Sequence, residues 1–358
     1  MSRFGSYCDR SYRFHFGRWF DFLSFNMTLS EELCETDYVL AFDPTYIRKS
    51  GKHTAHIDSF FHGSLMKQMR GLEIGVLALI DRVRKTALPL EAVQSHSPKA
   101  LKKEGRSLVD HYAKIITDRG VQLRKKAKYL VADGFFAKQK FLHPILEKTD
   151  LAVITMLRRD THLQYLYQPS GGVKRGRPRK YDGKIDCQNP DLEKMRIVFE
   201  DEKMRILSCK AFNKKMKLTF RIALVQWKTK KINRPYSVFA ATDVEIDPLS
   251  LYQIYTERFQ IEFLIRDAKQ YVGLQDCQAR DEAKLHFHFN VALTTVGIAK
   301  VLAYPNEEKR RFSMANWKNH FHNHMMLHLF FDHFKLDPQK PKNKMIIPSL
   351  LNIGRIAA

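Results

Sequence analysis

Cysteine is scarce in this chain. Only Cys8, Cys34, Cys187, Cys209 and Cys277 occur among 358 residues, odd in number and far apart. No Cys-x2-Cys pair exists, which argues against a disulfide framework and a cysteine zinc site and fits a reducing cytoplasm. Thiols scattered in this way serve as small core residues. Long apolar runs are missing as well. No stretch approaches the roughly 20 residues of a spanning helix, and residues 1–26 lack the continuous apolar centre of a signal peptide. Acidic charge is in short supply: 38 Asp and Glu stand against 61 Lys and Arg, a formal charge of +23. Such an excess points to a polyanionic partner, with nucleic acid ahead of an acidic membrane surface.

What is present suffices for a sizeable core, in one large domain or two smaller ones: 44% of the residues are hydrophobic and 28% charged. Residues 1–36 mix aromatics with Arg and read as one or two short helices, with a boundary at Asn26 and a helix start at Ser30. From Tyr38 an apolar run closes on Asp43 and Pro44, as a buried strand would. Further strands are expected near Phe60, over 72–80 and over 151–157, with helices over 101–124 and 138–147. A second apolar run, from Tyr129, closes on Asp133 and Gly134. Residues 169–184 form a basic Gly/Pro loop. Residues 185–243 alternate or run apolar, which predicts a β-rich segment, and helices resume over 244–336. The tail 337–358 carries Pro338, Pro341 and Pro348 and is expected to be loosely attached. Strands, a β-rich insertion and then helices define a mixed α/β chain, with residues 37–168 and 244–336 as the two parts of its core.

The most informative stretch is 251–271, read as a single helix. It carries Tyr255, Arg258, Glu262 and Lys269 within an arc of roughly 60° on one face. Ile254, Ile261, Leu264, Ile265 and Ala268 form the apolar stripe beside them. A carboxylate between bases suits a metal ion held beside a phosphodiester, the acid on the cation and the bases on phosphate. The plainer reading is a solvated amphipathic helix with an Arg258–Glu262 pair.

Two acids upstream shift that balance. Asp43 and Asp133 each close a buried strand, and with Glu262 they offer three carboxylates to hard cations. Phosphoryl transfer between DNA strands needs an activated hydroxyl and a stabilised leaving oxygen, which two Mg²⁺ or Mn²⁺ ions provide. Either Asp alone reads more simply as a turn residue, the commoner use of Asp-Pro and Asp-Gly.

With these residues in place the chain resembles the DDE transposases of bacterial insertion sequences, in the group named for a Tyr-x2-Arg-x3-Glu-x6-Lys signature. Tyr255, Arg258, Glu262 and Lys269 match that spacing in full, and the contexts Ala-Phe-Asp43-Pro and Val-Ala-Asp133-Gly look like the first and second acid motifs. The segment from Leu285 to Asn290 also resembles the one that follows the signature, so the likeness spans residues 38–300. It implies a ribonuclease H-like catalytic core interrupted by a β-rich insertion, with helical N- and C-terminal segments. It further implies Mg²⁺-dependent cutting of element ends and joining of the 3′-hydroxyl to target DNA, with Mn²⁺ able to substitute. Asp43, Asp133 and Glu262 would be the catalytic metal ligands, and Tyr255, Arg258 and Lys269 would hold the DNA backbone. The partner is double-stranded DNA, with a homodimer expected when ends are paired and a nucleoid-associated, cytoplasmic location. The position of the first acid motif implies that a separate N-terminal DNA-binding domain is small or missing.

Other signals are weaker. Arg177, Arg179 and Lys180 surround a Gly-Arg-Pro core of the kind that lies in an A·T minor groove, or else form a solvated loop touching phosphates. His320, His324 and His328 repeat every four residues, a zinc-compatible spacing that more commonly marks a polar helix face. His286 and His288 read as packing or backbone-contact residues. Relatives that form hairpins stack a flipped base on an aromatic of the insertion, which makes Trp227 a candidate; a core tryptophan is the simpler reading. Two rival functions remain, a structure-specific nuclease on the same fold and a catalytically silent DNA-binding derivative.

Overall fold

The structure, a computed structural model, describes residues 7–33, 37–168, 179–228, 235–303 and 312–356. The chain divides into a helical unit (Met1–Cys34, Leu88–Leu90, Leu264–Ala358) and a sheet unit (Glu35–Ala87, Glu91–Phe263). Helices α1 (Asp9–His15) and α2 (Phe22–Glu31) open the helical unit, and the Asp21 carboxylate caps α2 by accepting from Ser24 N at 2.9 Å. The expected boundary at Asn26 and helix start at Ser30 are corrected here, because α2 runs through both. Asn26 is buried and its Nδ2 donates to Leu90 O at 2.9 Å and Thr294 Oγ1 at 3.0 Å. A residue that looks like a helix breaker is satisfied inside the core instead.

Six strands build the first part of the sheet unit, one of them without its Leu88–Leu90 stretch. They are β1 (Tyr38–Ile47), β2 (Asp58–His62), β3 (Lys67–Asp81), β4 (Thr86–Gln94), β5 (Tyr129–Ala132) and β6 (Ala152–Leu157). β2, β3 and β1 are antiparallel neighbours, β4 pairs with β3, and β1, β5 and β6 run parallel in that order. Strands buried on both faces read as continuous apolar runs, and every residue of β3 from Gly71 to Asp81 is buried. β1 does not stop at Pro44, as the sequence suggests, but reaches Ile47. Beyond Phe42 it is laddered on β3 alone, and a strand paired on one side accommodates proline.

The single helix expected over 101–124 is three: α3 (Pro98–Lys103), α4 (Leu108–Thr117) and α5 (Gly120–Lys126). Gly105 at φ +69° ends the first, and a Ser107–Asp110 capping box starts the second. α4 packs on α6 (Gln139–Thr149), and with β1 they enclose an aromatic floor. Phe42 lies 5.7 Å from Tyr112 and 5.5 Å from Phe136, centre to centre, and Phe136 lies 4.7 Å from Phe141. Gly75 is required there, since a Cβ would stand 2.7 Å from the Phe42 ring.

β7 (Leu163–Leu166), β8 (Tyr181–Lys184), β9 (Arg196–Glu200), β10 (Met204–Asn213), β11 (Leu218–Trp227) and β12 (Tyr236–Ala241) continue the same sheet, joined through β12 to β6. Antiparallel ladders connect β12, β11, β10 and β7. Tyr181–Lys184 is a strand rather than the end of a loop. The result is a large mixed sheet with helices, consistent with a ribonuclease H-like DDE fold.

α7 (Pro248–Glu257) and α8 (Phe259–Tyr271) replace the single helix expected over 251–271. The interruption is one residue, Arg258, where hydrogen bonding tightens: Arg258 N donates to Tyr255 O at 3.2 Å and Ile261 N to Arg258 O at 3.1 Å. In the helical unit, α9 (Glu282–Ala303) has 22 residues and is long and apolar enough to cross a membrane by length and composition. The sequence expectation that no such stretch exists needs that correction. Scattered polar residues such as Asn290 and Thr294 break the run without lowering the average enough. More than half of its apolar window is buried inside the protein, and α9 packs on α2. The tail expected to hang loose folds as α11 (Pro341–Leu351) against α10 (Met314–His333). Asn323 Nδ2 donates to Leu351 O at 3.2 Å and Ile353 O at 2.9 Å, which pins the turn beyond α11.

Candidate active site

β1 and β5 place the first two acids. Their parallel register pairs Leu40 with Leu130, Ala41 with Val131 and Phe42 with Ala132, and the next residue on each strand is an aspartate. Phe42 and Ala132 are fully buried, whereas Asp43 and Asp133 are half-buried at the edge of that core. Asp133 is held by its backbone: its carbonyl accepts from Phe136 N at 2.9 Å and from Thr155 Oγ1 at 3.0 Å. Its carboxylate is left to other partners. Gly134 follows because a Cβ there would lie 2.9 Å from Met156 O.

The break between α7 and α8 brings the third acid and its companions. Tyr255, buried, donates from Oη to Asp133 Oδ1 at 3.5 Å, and burial pushes its phenol up to about 12. Arg258 is 6% exposed and its Nη2 donates to Glu262 Oε1 at 2.6 Å. Burial opposes the Arg258 charge, but Tyr255, Asp43 and Glu262 outweigh it and raise its pKa. Its Nε is buried without a hydrogen-bond partner among the described residues. Such an orphan donor is costly unless an anion reaches it.

The electrostatics tie these groups together. Asp43 is pushed up to about 7, by desolvation first, with Glu262, Asp133 and Glu73 adding to the rise and Arg258 opposing it. Burial disfavours the charged carboxylate, and the neighbouring acids add to that. Glu73, on β3, is a fourth acid that the sequence pattern did not single out. It is buried, accepts from the Tyr112 hydroxyl, and has its own pKa raised by burial against the pull of Tyr112 and Ser95. A lone acid inside the apolar run of β3 was the available signal.

The structure thus gathers Asp43, Asp133, Tyr255, Arg258 and Glu262 in one cluster of the sheet unit. The three carboxylates do not draw their oxygens all within 4.8 Å of one another, and Arg258 is the cation standing among them. Lys269 is half-buried on the part of α8 that belongs to the helical unit. Arg177 lies outside the described residues. Arg179 precedes β8 and is turned onto its start, its Nε donating to Tyr181 O at 2.9 Å and its Nη2 2.7 Å from Asp182. Lys180 is exposed. Trp227, half-buried, ends β11 with its Nε1 3.5 Å from Ser237 Oγ. His320, His324 and His328 share α10 without forming a ligand group among the described residues, and His328 Nδ1 is instead 2.9 Å from Asp332. His288 contacts backbone, its Nε2 3.0 Å from Gly273 O.

The donor set fits divalent cations. Three carboxylates are the hard oxygen ligands such ions prefer.

Residues 27–206, half of the chain, match the family described as DDE superfamily endonuclease. The chain belongs to that family. The matched stretch carries Asp43 and Asp133 and ends before Glu262. No curated protein matches the chain. Its class is therefore a transposase-like nuclease whose family typically uses divalent metal ions and acts on DNA.

Proposed function

We propose that this chain is the transposase of a bacterial insertion sequence, in the group with the Tyr-x2-Arg-x3-Glu-x6-Lys signature. It cuts element ends and joins the freed 3′-hydroxyl to target DNA. The observation that carries this reading is the register of β1 and β5, which sets Asp43 beside Asp133 in the cluster where Arg258 grips Glu262. Asp43, Asp133 and Glu262 would hold two Mg²⁺ ions, with Mn²⁺ able to substitute. When bound, such ions activate the attacking hydroxyl and stabilise the leaving oxygen.

The chain's own residues supply the rest. Arg258, fixed by Glu262 and with a free Nε, is placed to take a phosphodiester oxygen. Tyr255 orients Asp133 through its hydroxyl. The aromatic floor under β1 keeps the platform rigid, and neither step needs a covalent enzyme–DNA bond. β9 to β12 fall in the β-rich insertion of residues 185–243 in this scheme, and Arg177, Arg179, Lys180 and Lys269 add contacts to the DNA backbone. Arg179 exchanges its Asp182 pair for phosphate. A homodimer pairs the two ends.

The test is incubation of the purified protein with supercoiled plasmid carrying the repeats that flank its gene, in Mg²⁺ or Mn²⁺. Nicking at the repeats followed by joined products is expected. Nicking without joining would leave a nuclease, and binding without nicking in either metal would leave a silent DNA-binding protein.

A further inference from the structure

On the part of the sheet formed by β7 to β11 lies a groove of about 780 Å³ that the acid cluster does not use. Its lining includes Arg196, Ser208, Lys210 and Arg221, and also Leu192 and Ile197. Two cross-strand pairs set the charge on one side of it; Asp182 and Glu193 line it too, and Asp182 is paired with Lys194 at 2.9 Å. Arg196 on β9 is directly opposite Ser208 on β10, and Lys210, two residues along β10, is directly opposite Arg221 on β11. Directly opposed residues share a face of the sheet, and like charges so placed destabilise it. Lys210 offsets part of this by pairing with Glu245, and Arg221 Nε donates to Val244 O at 3.0 Å. Arg196 is exposed and has no ion pair among the described residues.

The Ser208 hydroxyl is a second, independent sign. Ser208 is 5% exposed and lines the groove, and its Oγ is buried with no partner among the described residues. A buried hydroxyl left unpaired beside opposed cations is a site that an oxyanion completes. An apolar group borders the same space: Leu192 is 56% exposed. A double helix offers only phosphates from a convex surface and would leave that side chain in water. An unpaired strand can lay phosphates on the bases and press nucleobases against the apolar wall.

We propose that this groove binds an unpaired DNA strand, with phosphates on Arg196, Lys210 and Arg221 and bases against Leu192. The inference rests on reading the chain as a DNA-acting enzyme. It adds a place for single-stranded DNA on strands separate from those that carry the acids. Trp227 is no part of it.

The experiment is fluorescence anisotropy on the full chain in EDTA, so that binding is read without cleavage. The probes are a fluorescein-labelled oligothymidylate and a duplex of equal length. Arg196→Glu and Arg221→Gln should each weaken the oligothymidylate complex by about tenfold, the value of one charge-assisted hydrogen bond, and the duplex complex far less. The salt slope on the single strand should fall by about 0.7 for each phosphate no longer neutralised. Wild-type protein that does not hold the oligothymidylate overturns the proposal, as do variants that bind it normally or weaken equally on both probes. Should Arg196→Glu melt early, Arg196→Ala and the exposed Leu192→Ser carry the test. Plasmid nicking in Mn²⁺ is scored separately. Its absence in the wild type would strike the endonuclease reading and leave the strand-binding result standing.

Discussion

Arg258 grips Glu262 across one helical turn at 2.6 Å, from a side chain that is 8% exposed against 41% for its partner. An ion pair of this type on an open helix face contributes little. Here the guanidinium is desolvated, and it also draws on Asp43 and Tyr255. Losing one member of such a set strands the others.

Arg258→Ala is therefore expected to lower plasmid nicking by roughly tenfold to a hundredfold, the equivalent of one charge-assisted hydrogen bond of ~1.5–3 kcal/mol. Arg258→Lys should recover part of the charge and little of the geometry. Initial nicking rates in Mn²⁺ check this. Wild-type rates in both variants would return α7 and α8 to a solvated amphipathic role.

Gly134→Ala places a Cβ 2.9 Å from Met156 O, so β5 or β6 must shift beside Asp133. Overpacking of this kind costs ~1–3 kcal/mol. A lowered thermal midpoint together with reduced nicking is the expected result. An unchanged midpoint would mean the strands separate there without penalty.

How far the site was legible follows from these same residues. Val39 to Phe42 and Leu130 to Ala132 are buried because parallel strands are covered on both faces, so each appears as an unbroken apolar run ending at an acid. The helical face of Tyr255, Arg258 and Glu262 was likewise readable from spacing. The break at Arg258 was not, because neither Gly nor Pro marks it; it coincides with a buried guanidinium whose partners come from other elements. Glu73 was hidden for a related reason. Nothing in β3 shows that Tyr112 and Ser95 will be carried to it. In the helical unit, Asn26 looked like a boundary until the fold supplied Leu90 and Thr294.

A pH effect on stability is expected from His111. It is buried on α4, and desolvation first, with His96, Arg106 and His56, lowers its pKa to about 4. Its neutral form is the one the fold accepts. Above the unfolded pKa of about 6.5 nothing is lost. As pH falls from there towards 4 the unfolded chain binds the proton and the folded chain does not, so stability falls. The decrease between pH 7 and pH 5 should be about 2 kcal/mol from this residue. Urea midpoints for wild type and His111→Gln at both pH values test it. An identical decrease in the variant would acquit His111.

The basic strip makes a separate prediction. Arg177→Ala with Arg179→Ala should weaken binding more on A·T-rich than on G·C-rich duplexes if the strip enters a minor groove. Equal weakening in titrations on two matched duplexes would leave a loop that grips phosphate alone.

The most direct measurement is cleavage against binding for the three acids. Asp43→Asn, Asp133→Asn and Glu262→Gln keep each side chain's shape while removing the charge that holds a cation. Each variant should retain duplex affinity within about twofold and lose plasmid nicking in both Mg²⁺ and Mn²⁺ by roughly a thousandfold or more, since the ligands serve the transition state rather than the bound ground state. Nicking that persists in any one variant at near wild-type rate would contradict the assignment of that acid to the metal centre. Persistence in all three would contradict the active site itself.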